Sequence, residues 1–239
     1  MPSSFPFPFP DALTVPLFPL PGVALFPGCV MPLRVFEPRY LKMLEDAMAA
    51  ERLIGMAHLK DPADLPPGTL ITTLPPIHDV MGVGTVVAHE PQDDGTINIA
   101  VLGQARVRLV EELPHQPYRI ARVEKLGDQI PRTPELRRHL DSSRDEMLLA
   151  AWSLIGRTLE GDAAKQLESV LRDNPEPGAA SDLLASVYVH HPGLKQALLE
   201  NVDVLKRTHL ITSVLGKLLL ALEPKPPATP YGAKDYSLN

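Results

Sequence analysis

The amino-acid sequence predicts an α+β fold, in which a mostly antiparallel β-barrel with an internal helix is followed by an α-helical subdomain. Three observations point there. Six short runs rich in Val, Ile and Leu, "VMPLRVF", "RLIGMAHL", "VGTVVAHE", "TINIAVLG", "ARVRLVEEL" and "YRIARVEKL", succeed one another between residues 30 and 126, divided by Gly, Pro or Asp clusters. A single embedded helix, with no series of crossover helices, favours a small barrel or coiled sheet over a parallel α/β layer. After "GDQIPRTPE", at 127–135, the apolar spacing changes to three and four residues and stays there.

The chain opens with MPSSFPFPFP, whose alternating Phe and Pro favour an extended arm over residues 1–12. Next comes "LTVPLFPLPGVALFPGCVMPLRVFEPRYLKMLEDAM", from Leu13 to Met48, where the prolines punctuate short apolar runs as edge and turn positions of the first strands. The internal helix starts at Pro38, where a missing N–H costs nothing, and Glu37 sets negative charge at the positive end of the helix dipole. Tyr40, Leu41, Leu44, Ala47 and Met48 form its apolar stripe, with Lys42, Glu45 and Asp46 off it. "QDDGT", at 92–96, is a hairpin turn, and Gly103 marks a second hairpin or a bulge.

The barrel unit is assigned to residues 13–130 and the helical unit to 131–222. Thr133 and Pro134 start a long helix whose stripe runs through Leu136, Leu140, Met147, Leu148, Ala151, Leu154, Ile155 and Leu159 and ends by Gly161. Shorter helices are expected at 162–172, 181–190 and 193–200, then a last one over 203–222. "EPKPPATPYGAKDYSLN" makes residues 223–239 a proline-rich, flexible tail.

Composition narrows the function. The formal charge is −6 with Lys and Arg scattered, so nucleic acid is a disfavoured partner. A lone cysteine, Cys29, excludes an intrachain disulfide. No secretory leader pattern and no apolar run long enough to span a membrane stand out, and a cytoplasmic location is expected.

Motifs for catalysis, cofactors and metals fail in turn. "ITSVLGKLL" has Gly216 and Lys217 but Ile211 and Leu218 where a phosphate-cradling loop needs Gly and Ser or Thr. "GVGTVV", from Gly82, lacks a third Gly and a following helix. His89 has no second His four residues on, and the adjacent His190 and His191 point apart. Cys29, in apolar surroundings, reads as a packing residue. No catalytic residue, metal ligand or cofactor is expected.

Within Leu33 to Tyr40, Arg34, Glu37 and Arg39 stand beside Phe36 and Tyr40. Locally this is an ion pair and two core aromatics locking strand to helix, or else a polar and aromatic surface that grips a peptide.

"PLFPLPGVALFPGCVMPLRVFEPRYLKMLEDAM" closely resembles the opening of the Lon protease amino-terminal domain family, which also occurs as free-standing bacterial proteins. The resemblance continues through "PPIHDVMGVGTVVAHEPQDDGTINIAVLGQARVRLVEEL" and the closing "LLASVYVHHPGLKQALLENVDVLKRTHLITSVL", where "VYVHHPG" departs from the family's usual acidic turn. It implies a PUA-like barrel carrying an internal helix, followed by helices. It also implies a non-enzymatic module that recognises unfolded or flexible polypeptide, or an unidentified protein partner, in protein quality control. Phe36, Glu37, Arg39 and Tyr40 are the candidate peptide-binding residues. The alternatives are an RNA-binding PUA-like protein and a hydrolase with a fold-assembled Cys29 or Ser site.

Overall fold

A computed structural model describes residues 9–65, 74–114, 117–173 and 176–222. Most of the predicted Phe-Pro arm and all of the predicted tail lie outside the described residues. The elements run β1 (Ala12–Leu20), β2 (Val30–Val35), α1 (Pro38–Ala49), β3 (Leu53–His58), β4 (Val80–Pro91), β5 (Ile97–Leu113) and β6 (Arg119–Leu126). Helices α2 (Pro134–Thr158), α3 (Gly161–Asp173), α4 (Pro177–Tyr188), α5 (Pro192–Glu200) and α6 (Val204–Leu222) follow.

The sheet order is β2-β5-β4-β3-β1-β6, and a further β5–β6 pairing joins its ends. Five strands thereby close into a barrel, and β2 hangs on the first half of β5. All pairs are antiparallel except β1–β3, whose connection passes through β2 and α1. The expected α+β fold, a mostly antiparallel barrel with an internal helix and then helices, is what forms.

Three details differ from the sequence reading. Pro16 and Pro19 lie inside β1, which has neighbours on both sides. Pro16 pairs with Ile120 of β6 one residue before the β3 register begins at Leu17, and Pro19 pairs with Ala57 of β3 after the β6 register has ended. Each proline thus falls where one ladder is missing, so its absent N–H forfeits no bond. Pro32, by contrast, sits on the edge strand β2, as expected of a proline there.

Residues 97–113 form one strand where two were expected; at Gly103, of the two alternatives expected, it is the bulge-like register shift and not the hairpin that forms. Helix α4 starts at Pro177 instead of 181, because Pro177 is its first residue and Glu176 its cap.

Gly82 and Gly103 have a shared cause. A Cβ on Gly82 would collide with the Leu25 carbonyl oxygen, and one on Gly103 with the Phe26 carbonyl oxygen. The segment between β1 and β2 therefore lies with its backbone directly on β4 and β5. Gly28 N–H donates to the Gly103 carbonyl at 2.9 Å, and Gly103 N–H donates to the Cys29 carbonyl at 2.9 Å. Bare backbone on two strands lets a third chain segment approach within hydrogen-bonding reach.

Three apolar clusters result. Val15, Leu17, Leu53, Met81, Val83, Val107 and Val123 pack strand on strand. Phe18, Leu25, Ile54, Met56 and Val101 pack with Tyr40, Met43 and Leu44 of α1. Odd and even positions of β1 and β3 divide between these clusters, so both faces of β3 are buried. On α1 the buried stripe is Tyr40, Met43, Leu44 and Ala47, with Leu41 and Met48 at its half-buried margins. The third cluster joins Phe26 and Cys29 to Met147, Leu154, Ile155, Leu184, Ile211 and Leu215 of the helices.

Charged side chains tie the barrel to the helices. Arg106 of β5 pairs with Asp182 of α4 and donates to the Leu199 carbonyl at 3.0 Å. Arg207 of α6 reaches the same Asp182 at 3.1 Å and Asp128 at 2.7 Å. It also donates to the Asn201 carbonyl at 2.7 Å and the Ser181 hydroxyl at 3.0 Å. Burial pushes the Asp182 carboxyl up, while the two guanidinium groups pull it back.

Asp182→Ala takes from Arg106 and Arg207 the buried carboxylate they share, leaving them only Asp128 at the rim, and is expected to lower stability by about 3–5 kcal/mol. Urea melts followed by Trp152 fluorescence and by far-UV circular dichroism should shift together; a change near zero would show that the network is not structural. Gly103→Ala should cost about 1–3 kcal/mol through overpacking. Gly216→Ala, in open space on α6, should instead raise stability by about 0.5–1 kcal/mol.

Candidate functional site

The end of β2 delivers the chain to α1 at Phe36 and Glu37, and this junction borders a cavity of about 190 Å³. Glu37, Arg39 and Tyr40 form one wall, Pro19, Leu20 and Pro21 a second, and Leu59, Leu74 and Pro75 a third. Pro117, Tyr118 and Arg119 close it. Of the four residues singled out from sequence, three meet here. Phe36 does not line the cavity and is 65% exposed beside it.

Each member is held by a partner. Tyr40 is buried with its ring centroid 4.5 Å from that of Phe18, and the Arg39 guanidinium carbon lies 4.6 Å from the centroid of the Tyr40 ring. Burial raises the Tyr40 phenol, with Arg39 opposing and Glu37 adding to the shift. Arg39 pairs with Glu37 at 2.8 Å. Glu37 stands at the N-cap position of α1 but makes no side-chain cap, because its carboxylate is turned to Arg39. Arg119 is clamped by Glu112 and donates to the Pro75 carbonyl at 2.8 Å. The charged walls are internally neutralised, and the remaining lining is apolar or aromatic.

Tyr118 also lines a second cavity of about 590 Å³, walled by β1, the second half of α1 and Ile120. Its hydroxyl donates to Asp46 at 2.7 Å. Burial first, then the bond to Asp46 and its charge, pushes the Tyr118 phenol up to about 12. Tyr118 and Arg119 were not singled out from sequence because nothing local marks them. Arg119 begins β6 and Tyr118 directly precedes it, and only barrel closure carries them to α1.

Other candidate chemistries are placed elsewhere. Cys29 is buried, its Sγ 3.8 Å from the Asp182 carbonyl oxygen, and burial pushes its thiol up to about 11, the opposite of an activated nucleophile. Ser143 of α2 meets His209 of α6 at 2.8 Å, but Ser143 is buried and the partner ring beyond is His139, not a carboxylate. His191 caps α5, accepting from Leu194 N–H at 3.3 Å. Among the described residues no group of three or more His, Cys, Asp or Glu is arranged to hold a metal ion, and no helix is long and apolar enough to cross a membrane.

Residues 14–217 match the family of the ATP-dependent protease La (LON) substrate-binding domain. The chain belongs to the LON substrate-binding domain family. Among its relatives, Lon protease 2 of Sorangium cellulosum is 31% identical over 229 residues, covering 94% of this chain and 27% of that protein. Lon protease of Dictyoglomus thermophilum is 27% identical over 209 residues, covering 87% of this chain and 25% of that protein. The chain thus spans about a quarter of the length of these relatives, and the matched region is their substrate-binding domain, not an ATPase or protease module.

The fold is shared with the N-terminal domain of Mycobacterium avium complex Lon protease, at a TM-score of 0.66 and 15% identity, covering 85% of this chain and 98% of that one. It is also shared with a Lon N-terminal domain protein from Xanthomonas campestris, at a TM-score of 0.54 and 20% identity, covering 89% and 99%.

One titratable cluster at the barrel–helix contact gives a pH dependence. His58 stacks on His78 with ring centroids 5.0 Å apart, and His78 meets Glu200 of α5 at 3.1 Å. His58 Nδ1 is buried without a partner, and burial, then the charge of His78, lowers the His58 pKa below its ordinary value, with Gln196 and Glu200 opposing. A base with a depressed pKa in the fold binds fewer protons there than when unfolded. The stability it contributes is complete above its unfolded pKa of about 6.5 and is lost as pH falls from that value through the lower pKa of the folded state. Urea midpoints should therefore drop between about pH 7 and about pH 5, and His58→Gln should flatten that drop. An equally steep drop in the variant would assign the effect to other groups.

Proposed function

We propose that this LON-family chain recognises unfolded or flexible polypeptide at the strand-to-helix junction, that it does so without catalysing a reaction, and that it serves as a cytoplasmic adaptor in protein quality control. The observation that carries the reading is the junction cavity itself. Its walls combine two tyrosines, four prolines and three leucines with arginines already neutralised by carboxylates. Such a surface suits a neutral stretch of extended chain, whose apolar side chains enter while its backbone meets the start of α1.

Family membership supports the substrate class, since the matched domain is a substrate-binding one. Charge supports polypeptide over RNA. Arg34, Arg39, Arg119 and Arg122 each pair with a carboxylate, so that among the described residues these arginines form no unneutralised stripe for a phosphate backbone to follow.

A reduced, permanently unfolded model polypeptide should bind the full chain in the micromolar range. The double variant Glu37→Gln, Arg39→Ala should weaken binding by about tenfold, equivalent to about 1.4 kcal/mol, with the thermal melt retained. Fluorescence anisotropy titration measures this, and an unchanged affinity in the folded variant removes the junction as the site. Tyr40 is left intact because it is also a core residue.

A further inference from the structure

We infer that the Phe-Pro arm preceding Phe9 seats in the larger cavity along α1 of its own chain and there competes with polypeptide for the Tyr118 side of the junction. The seating is argued from the cavity and the sequence; it rests on the polypeptide-binding reading only for its effect on clients.

The cavity, about 590 Å³ and open to solvent on one side, has an apolar floor of Leu13, Val15, Ala47, Leu53 and Ile120, with Asp46, Glu51 and Tyr118 also in its lining. An apolar cavity of about 150 Å³ already holds a benzene ring, so this one has room for more than one phenyl group. The first described residues lie at its rim: Pro10 lines the cavity, and Phe9 is buried in the strand cluster that contains Val15 and Leu53. Immediately upstream the same dipeptide occurs twice more, as Phe5-Pro6 and Phe7-Pro8. One Phe-Pro unit is thus anchored beside the cavity, and two repeats of it lie within a few residues of the opening.

Charge and backbone chemistry favour this occupant. Residues 2–10 carry no ionisable side chain. Asp46, the acid nearest Tyr118, accepts from the Tyr118 hydroxyl and pairs with Lys42 at 2.9 Å, so it asks for no cationic ligand. Alternating prolines remove backbone donors that the apolar floor would leave unsatisfied, and such a sequence favours an extended chain with little freedom left to lose. Because Tyr118 lines both cavities, a seated arm stops an extended client from continuing past the junction.

The test uses the full chain with Phe5→Ser and Phe7→Ser together, leaving Phe9 in place. Amide NMR shifts are expected to change at Ala47, Ala50, Leu53 and Ile120, far from the substitutions in sequence, and to do so independently of protein concentration. Affinity for the unfolded model polypeptide should rise roughly three- to tenfold, as removal of a competitor that fills the site most of the time requires. Shifts confined to the residues around the substitutions overturn the inference, as do shifts that depend on concentration, which would place the arm in a second copy. If the polypeptide binds neither form, the junction reading fails while the shifts still decide where the arm sits. An affinity that falls in the variant overturns the competition and makes the arm part of the client surface.

Discussion

The structure depends on the seating of Leu25 to Cys29 against bare backbone. A peptide carbonyl occupies the space over Gly82 and over Gly103 where any side chain would otherwise project. From that position Leu25 turns into the cluster under α1, while Phe26 and Cys29 turn into the cluster of the helices. One short segment, pinned by reciprocal bonds with Gly103, thus belongs to two cores at once. Lifting it would open both, so barrel and helices share their stability through it.

The buried charges act on the same contact from a different direction. Apolar packing is non-directional, whereas Arg207 meets Asp182, Asp128, Ser181 and the Asn201 carbonyl in a fixed fork. Those partners come from α4, from the segment after β6 and from the turn before α6. Arg106 adds β5 to the set. Burying such ions is costly, and their value lies in fixing one arrangement of helices on the barrel, since a slipped α4 would leave Asp182 unable to reach both guanidinium groups. The position of α1 and its cavities is set on the other side of the sheet, by Tyr40, Met43 and Leu44.

Much of this was legible in the sequence, and the parts that were not have a common reason. Alternation and helical spacing mark elements whose burial is decided locally, which is why α1, α2, α5 and α6 fall close to their expected bounds. Gly103 was legible as an irregularity but not as a point of close approach, because the segment that covers it lies some 75 residues away. Pro16 and Pro19 look like strand breakers until the staggered ladders of β1 are known. At the junction, Glu37, Arg39 and Tyr40 carry a local pattern of charge beside aromatic. Tyr118, Arg119, Leu59 and Pro75 do not, since they become neighbours only through long-range pairing. Arg106, Asp182 and Arg207 resemble surface charges in a linear reading, and their burial follows from partners on three separate elements.

The chemistry of the junction follows from the same construction. Pro19, Pro21, Pro75 and Pro117 reach it because each stands at a strand end or in a connection, where a missing N–H is tolerated. Once gathered, they make a wall that is stiff, apolar and poor in donors. The Pro75 carbonyl is already taken by Arg119, and Arg119 by Glu112, so few polar groups remain to be desolvated when a chain enters. Rigid walls and satisfied charges lower the ordering cost of binding but supply few directional contacts. If polypeptide binds there as proposed, the site would discriminate by shape and apolar area rather than by sequence, the kind of selectivity that capture of diverse unfolded chains requires.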